Sequence, residues 1–141
     1  MPLESGKDIR TLLEATRIIA LVGASANAER PSHEVMAFLQ KQGYRVIPVN
    51  PGLTGQQLLG ETAVACLADI EVPIDLVDIF RNSEAAGPIV DEAISAGAKA
   101  VWMQLGVINP KAAARAEAAG LKVVMNHCPK IEIPRLGLLK R

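Results

Sequence analysis

Five short stretches in this 141-residue sequence carry residue types that can do chemistry, and each follows an apolar run. The first is Gly23-Ala24-Ser25-Ala26, which comes directly after Ile18-Ile19-Ala20-Leu21-Val22 and leads through a polar loop into an amphipathic stretch near His33. Small residues there let a ligand approach the backbone, and the unpaired N–H groups of a helix start complement an anion. Ser25 and Ser32 add hydroxyls, and Arg30 adds a guanidinium. The second stretch is Asn50-Pro51-Gly52. The third is Phe80-Arg81, whose arginine can grip a phosphate through two parallel hydrogen bonds. The fourth is Met103-Gln104-Leu105, and the fifth is Asn126-His127-Cys128-Pro129.

Each stretch also has a packing explanation. Gly23 suits a tight strand-to-helix approach, Ser25 or Ser32 suits a helix cap, and Arg30 suits a solvated loop. Asn50-Pro51-Gly52 is a turn in any case, and Gln104 is able to tie down neighbouring backbone. A Cys–His nucleophile at His127-Cys128 is disfavoured, because adjacent residues in an extended segment point in opposite directions. No acid is evidently placed to orient the histidine, so Cys128 reads as a buried or half-buried structural thiol. His33 falls in the first turn of its helix, where the dipole disfavours a cation.

The elements that must position these residues follow from patterning. Ser5 and Asp8 predict a helix start, with Ile9, Leu12 and Leu13 at helical spacing up to about Thr16. Strands are predicted at 17–22, 44–49, 74–80, 100–105 and 121–125. Helices are predicted from 33 to Gly43, from 84 to 96 with Ser83 as N-cap, and from Asn109-Pro110 to Gly120. The segments 53–60 and 63–70 read as loops with at most short structure, and an irregular tail is expected after Cys128-Pro129. Strands and helices alternate at roughly 25-residue intervals, which calls for a parallel sheet. The strands are continuous apolar runs, as expected when helices cover both faces. The predicted fold is α/β: a three-layer, Rossmann-like doubly wound fold with a five-stranded, mostly parallel sheet. It is expected as a single domain over 1–141, with a core over 17–129, an N-terminal helix in 1–16 and a tail over 130–141.

In such sheets a ligand lies beyond the carboxyl ends of the strands, where all five stretches fall. Composition narrows the ligand. Fifteen basic residues balance fifteen acidic ones, so non-specific nucleic-acid binding has no electrostatic basis. The 3% aromatic content leaves few platforms for stacking bases. No apolar stretch approaches the roughly eighteen residues of a membrane span, and Met1-Pro2-Leu3-Glu4-Ser5 lacks the pattern of a secretory signal. Cys66 and Cys128 form neither a metal spacing nor a disulfide framework. A cytoplasmic protein with a small-molecule ligand is the expectation, with an oligomer or a protein partner left open. A nicotinamide dinucleotide fits poorly. Ser25 and Ala28 stand where its fingerprint needs glycines, and Asn50 stands where strand two should offer an acid.

Taken together, the stretches IALVGASANAERPSHEV, GYRVIPVNPGLTGQQLLGE, IDLVDIF, GAKAVWMQLGV and AGLKVVMNHCP resemble the CoA-binding domain family. These are the single-domain relatives of the CoA-binding domain of succinyl-CoA synthetase alpha subunits. The resemblance implies coenzyme A across the strand ends. By position it places Gly23, Ala24, Ser25 and Ala26 at the phosphates, Asn50, Pro51 and Gly52 after strand two, Phe80 and Arg81 after strand three, and Met103, Gln104 and Leu105 after strand four. Leu53 stands where the synthetase carries a lysine, so Arg30 and Arg81 are the candidates to replace that cation. The synthetase's phosphohistidine and ligase segments have no counterpart here, and His127 does not match that histidine. The implied role is therefore a non-catalytic binding protein, carrier or sensor. The alternatives are an acyl-CoA-using enzyme that needs a partner chain, an NAD(P)-binding domain, and a redox role through a Cys128–CoA mixed disulfide.

Overall fold

The Ser5 side chain accepts a hydrogen bond from the Asp8 N–H at 3.1 Å and so starts α1 (Gly6–Ala15), which buries Ile9, Leu12 and Leu13. β1 (Ile18–Val22), α2 (Pro31–Lys41) and β2 (Arg45–Val49) follow. The computed structural model describes residues 1–140. Between Pro51 and Asp69 the chain leaves the sheet, making 3-10 turns at Pro51–Leu53 and Leu67–Asp69 and a small antiparallel ribbon of β3 (Gln57–Leu58) and β4 (Glu61–Thr62). β5 (Leu76–Ile79), α3 (Ser83–Ser95), β6 (Ala100–Met103), α4 (Pro110–Ala118), β7 (Lys122–Met125) and α5 (Pro129–Arg135) complete the order.

The five long strands pair in parallel as β2-β1-β5-β6-β7. From β1 the chain moves first outward to β2 and later to β5 on the other side. That reversal opens a crevice beyond the carboxyl ends of β1 and β5. Both faces of the sheet are buried. Ala20, Val22, Val77, Ile79, Val101, Met103 and Val123 pack with α3 and α4. Ile19, Leu21, Leu76, Trp102 and Val124 pack with α1, α2 and α5. Double burial is the reason the strands read as unbroken apolar runs. No helix among the described residues is long and apolar enough to cross a membrane.

Two local expectations need correction. The N-cap of α3 is Asn82, whose side chain accepts from the Ala85 N–H at 2.8 Å. Ser83 is already helical, and its hydroxyl accepts from the Ile108 N–H at 2.9 Å. The expected irregular tail contains α5. Pro129 occupies its first turn, where a missing N–H costs nothing, and Pro134 falls near its end. Burial of Ile133 against the α1–α2 side holds this short helix in place, beside α2.

Candidate functional site

The crevice is built from the turn after β1. Gly23 has φ +92°, and a Cβ there would lie 2.3 Å from the Phe80 carbonyl oxygen and 3.2 Å from the Arg81 Cδ. Only glycine lets the ends of β1 and β5 come this close. The Gly23 N–H donates to the Val49 carbonyl at 3.0 Å, which ties the turn to β2.

Asn50 braces the same turn. Its Nδ2 donates to the Ala24 carbonyl at 2.8 Å, and its Oδ1 accepts from the Gly52 N–H at 2.9 Å. The Ser25 hydroxyl accepts from the Asn27 N–H at 3.0 Å, and the Asn27 side chain accepts from the Glu29 N–H at 2.9 Å. These turns deliver the chain to α2, whose N-cap position is Arg30 with no side-chain cap. Neither Ser25 nor Ser32 caps that helix. Ser32, buried in its first turn, has no carbonyl within the helix for its N–H.

A hollow of about 380 Å³ results, lined by Gly23, Ala24, Ser25, Arg30, Pro31, Ser32, Asn50, Pro51, Phe80 and Arg81. It joins two arginines, neither of which has an ion-pair partner among the described residues, to a helix start. That combination suits a phosphate.

Pro31, Phe80 and Arg81 also line a second, larger cavity of about 870 Å³, so the two hollows adjoin. The second is bounded by α2 (Glu34, Val35), the loop after β5 (Asn82), the loop after β6 (Gln104, Leu105, Val107) and the start of α5 (Cys128, Lys130, Ile131). Its walls are mostly apolar, and Leu105 and Ile131 form an exposed rim. The Gln104 side chain is buried, and its Oε1 has no hydrogen-bond partner.

Of the residues the sequence nominates, the two cavities bring together Gly23, Ala24, Ser25, Arg30, Ser32, Asn50, Pro51, Phe80, Arg81, Gln104 and Leu105. Ala26 and Gly52 stand outside both linings. Met103 is fully buried on the opposite face of the sheet, among the α3 and α4 contacts. His33 faces a separate surface hollow with Ala28 and Lys41. His127 is held by a 2.8 Å hydrogen bond between its Nδ1 and the Met125 carbonyl, which makes Nδ1 the protonated nitrogen.

Sequence reasoning misses Asp78. It lies in β5 between Leu21 of β1 and Trp102 of β6, two residues before Phe80. It is completely buried, and both carboxylate oxygens lack a partner. Burial pushes its carboxyl well above the usual carboxylate range. An acid inside the apolar run of Ile74 to Phe80 was the available signal. Also missed are Val35, Val107 and Ile131, ordinary apolar residues that only the fold assembles.

The chain belongs to the CoA-binding domain family, whose model matches residues 17–134. It is 37% identical over 127 residues to the uncharacterized protein YneT of Bacillus subtilis, covering 90% of this chain and 93% of that one. A Thermus thermophilus protein of known structure, cell-free ID.343, superposes with a TM-score of 0.90 at 37% identity, covering 94% of this chain and 99% of that one. A more distant likeness, of fold alone, is to the dinucleotide-forming acetyl-coenzyme A synthetase 1 of Ca. Korarchaeum cryptofilum. There the TM-score is 0.67 at 23% identity, over 77% of this chain and 26% of the synthetase.

Proposed function

We propose that this chain binds coenzyme A, free or acylated, across the carboxyl ends of β1, β2, β5 and β6, and acts as a binding protein, carrier or sensor. The observation that carries the reading is the junction at Phe80 and Arg81 of two hollows of opposite character. One is small and cationic and includes the N–H of Ser32 in the first turn of α2. The other is larger and apolar. Coenzyme A has the same division, with a phosphorylated nucleotide at one end and a thin, mostly uncharged arm ending in sulfur at the other.

Asn50 supports this ligand over a nicotinamide cofactor. An acid after the second strand serves a free ribose 2′-hydroxyl, but it would repel the phosphate that coenzyme A carries on its ribose.

Calorimetric titration of the purified chain with coenzyme A, 3′-dephospho-coenzyme A and NAD tests the proposal. Saturable binding of coenzyme A that weakens without the 3′-phosphate is the expected result. Binding of NAD with none of coenzyme A would overturn it.

A further inference from the structure

We infer that the larger cavity selects the ligand's acyl group, and that the form of coenzyme A held here is the thioester of a medium-length, uncharged aliphatic acid. The inference rests on the coenzyme A reading above and names the acyl class that this reading leaves open. The cavity has about 870 Å³, against about 380 Å³ for the phosphate-friendly hollow. Pockets of about 300 to 1,000 Å³ hold whole drug-sized ligands, so this one has room for more than a thin arm. The arm's own chemistry leaves a surplus of apolar wall. It brings two amides and a hydroxyl, whereas the lining offers Val35, Phe80, Leu105, Val107, Ile131 and the Cys128 thiol, which packs as a small hydrophobe. Amides gain nothing from such surface, and methylenes do.

The rim is an independent observation. Leu105 is 59% exposed and Ile131 is 52% exposed. They come from separate elements, the loop after β6 and α5, yet both line this one cavity. Apolar side chains gathered at one mouth mark a binding face. Pro31, Phe80 and Arg81 join that mouth to the phosphate-friendly hollow, so a ligand anchored there by its phosphates directs its arm here. A chain that continues past the sulfur then covers the rim.

Charge on the lining decides what kind of chain fits. The charged side chains are Glu34, Lys130 and Arg81. Lys130 Nζ stands 3.9 Å from Glu34 Oε2, which links α5 to α2 and leaves the two charges answering one another. Arg81 is shared with the phosphate-friendly hollow. A terminal carboxylate, as on the thioester of a dicarboxylic acid, would meet Glu34 and find no cation of its own. Burying it unpaired is costly.

Calorimetric titration of the purified chain with coenzyme A and its acetyl, butyryl, hexanoyl, octanoyl and succinyl thioesters tests the inference. A fully buried methylene raises affinity about fourfold. With a half-exposed rim we expect about twofold per methylene, so octanoyl-coenzyme A should bind about fifteenfold tighter than butyryl-coenzyme A. Succinyl-coenzyme A, with the butyryl chain length plus a carboxylate, should bind at least about fivefold more weakly than butyryl-coenzyme A. The double variant Leu105→Ser, Ile131→Ser should cut the octanoyl-to-butyryl ratio by about threefold. Both side chains are more than half exposed, so its unfolding midpoint should stay close to wild type. In a chain that still binds coenzyme A, three results would each overturn the inference alone: no gain from butyryl to octanoyl, succinyl bound as tightly as butyryl, or a gain that the double variant leaves intact. Binding of none of these ligands would overturn the coenzyme A reading on which it rests.

Discussion

Two aspartates three residues apart mark the difference between the ends of the sheet. Asp75, at the amino end, accepts from the Arg17 and Ile18 N–H groups at 3.0 and 2.9 Å and pairs with Lys99 at 3.4 Å. Its carboxylate is thus met on both oxygens. Asp78, one turn of the pleat nearer the crevice, has no partner for either oxygen. Gln104 Oε1 lacks a partner too, and neither Arg30 nor Arg81 has an ion-pair partner among the described residues. Asp75 is spent on holding the strands together, while Asp78 and Gln104 Oε1 hold nothing. Native proteins concentrate unmet local demands at functional sites. The placement of these groups therefore argues for the site independently of cavity volume. Other hollows of similar size lie elsewhere, one of them at the amino end beside Arg17 and Tyr44.

The most severe way to break the contrast is Gly23→Ala. A Cβ 2.3 Å from the Phe80 carbonyl, on a residue at φ +92°, forces β1 and β5 apart at the crevice. We expect a loss of about 3–5 kcal/mol in urea unfolding, from strain and overpacking together. Coenzyme A binding should disappear with it. A loss below about 1 kcal/mol would mean that the close approach is not what shapes the turn.

Asp78 gives the next largest effect. Below its ordinary value near 3.8, the carboxyl is protonated in both folded and unfolded chains, and its contribution is fully present. Above that, the unfolded chain ionises while burial keeps the native group protonated. Stability then falls by about 1.4 kcal/mol per pH unit until the native group ionises as well. Asp78→Asn removes this slope. Urea midpoints should be nearly equal to wild type at about pH 4, and the variant should gain steadily on wild type as pH rises above that. Parallel curves for the two chains would show that Asp78 finds a partner in solution.

The sequence makes the ordinary parts of this design legible and hides the parts that depend on packing. Double burial writes the strands as apolar runs, so β1, β2, β5, β6 and β7 emerge within a few residues of their observed limits. The small residues from Gly23 to Ser25 and the arginine after β5 announce the phosphate-friendly hollow. Asn82 and Ser83 are both competent caps, and only the backbone register decides between them. α5 is obscured because Pro129 and Pro134 interrupt its pattern, although one sits in the first turn and the other near the end. With α5 unread, the wall formed by Cys128, Lys130 and Ile131 is unread too. The apolar cavity draws on four separated segments, and no local spacing reports such an assembly.

Arg81→Ala sharpens the comparison from the ligand's side. The Arg81 stem passes close to Gly23, and the residue lines both hollows with no ion-pair partner among the described residues. Its removal should weaken coenzyme A by about tenfold, or 1.4 kcal/mol, and leave the unfolding midpoint unchanged. Arg30→Ala should act in the same direction. Unchanged affinity in both variants would sink the idea that these arginines replace the synthetase lysine.

Asp75→Ala should give the smallest effect, with the opposite sign to Asp78→Asn. Burial alone would raise the Asp75 carboxyl, but the Ile18 and Arg17 N–H donors and Lys99 outweigh it and hold the carboxyl below its ordinary value. Its contribution is therefore present above about 3.8 and is lost as pH falls through the lower native value. Its N–H partners are partly exposed, so water replaces some of what is removed. Asp75→Ala should cost about 1 kcal/mol at neutral pH. That deficit should shrink as pH drops below about 3.8, because the wild type then loses the same interaction by protonation. The two aspartates thus act in separate windows on either side of one ordinary carboxylate value, and urea midpoints between about pH 2.5 and pH 8 read them independently. A deficit in Asp75→Ala that stays constant through the acid limb would mean that the charge on Asp75 adds nothing to the native state, and the contrast between the two ends would fail at the end where it predicts stability.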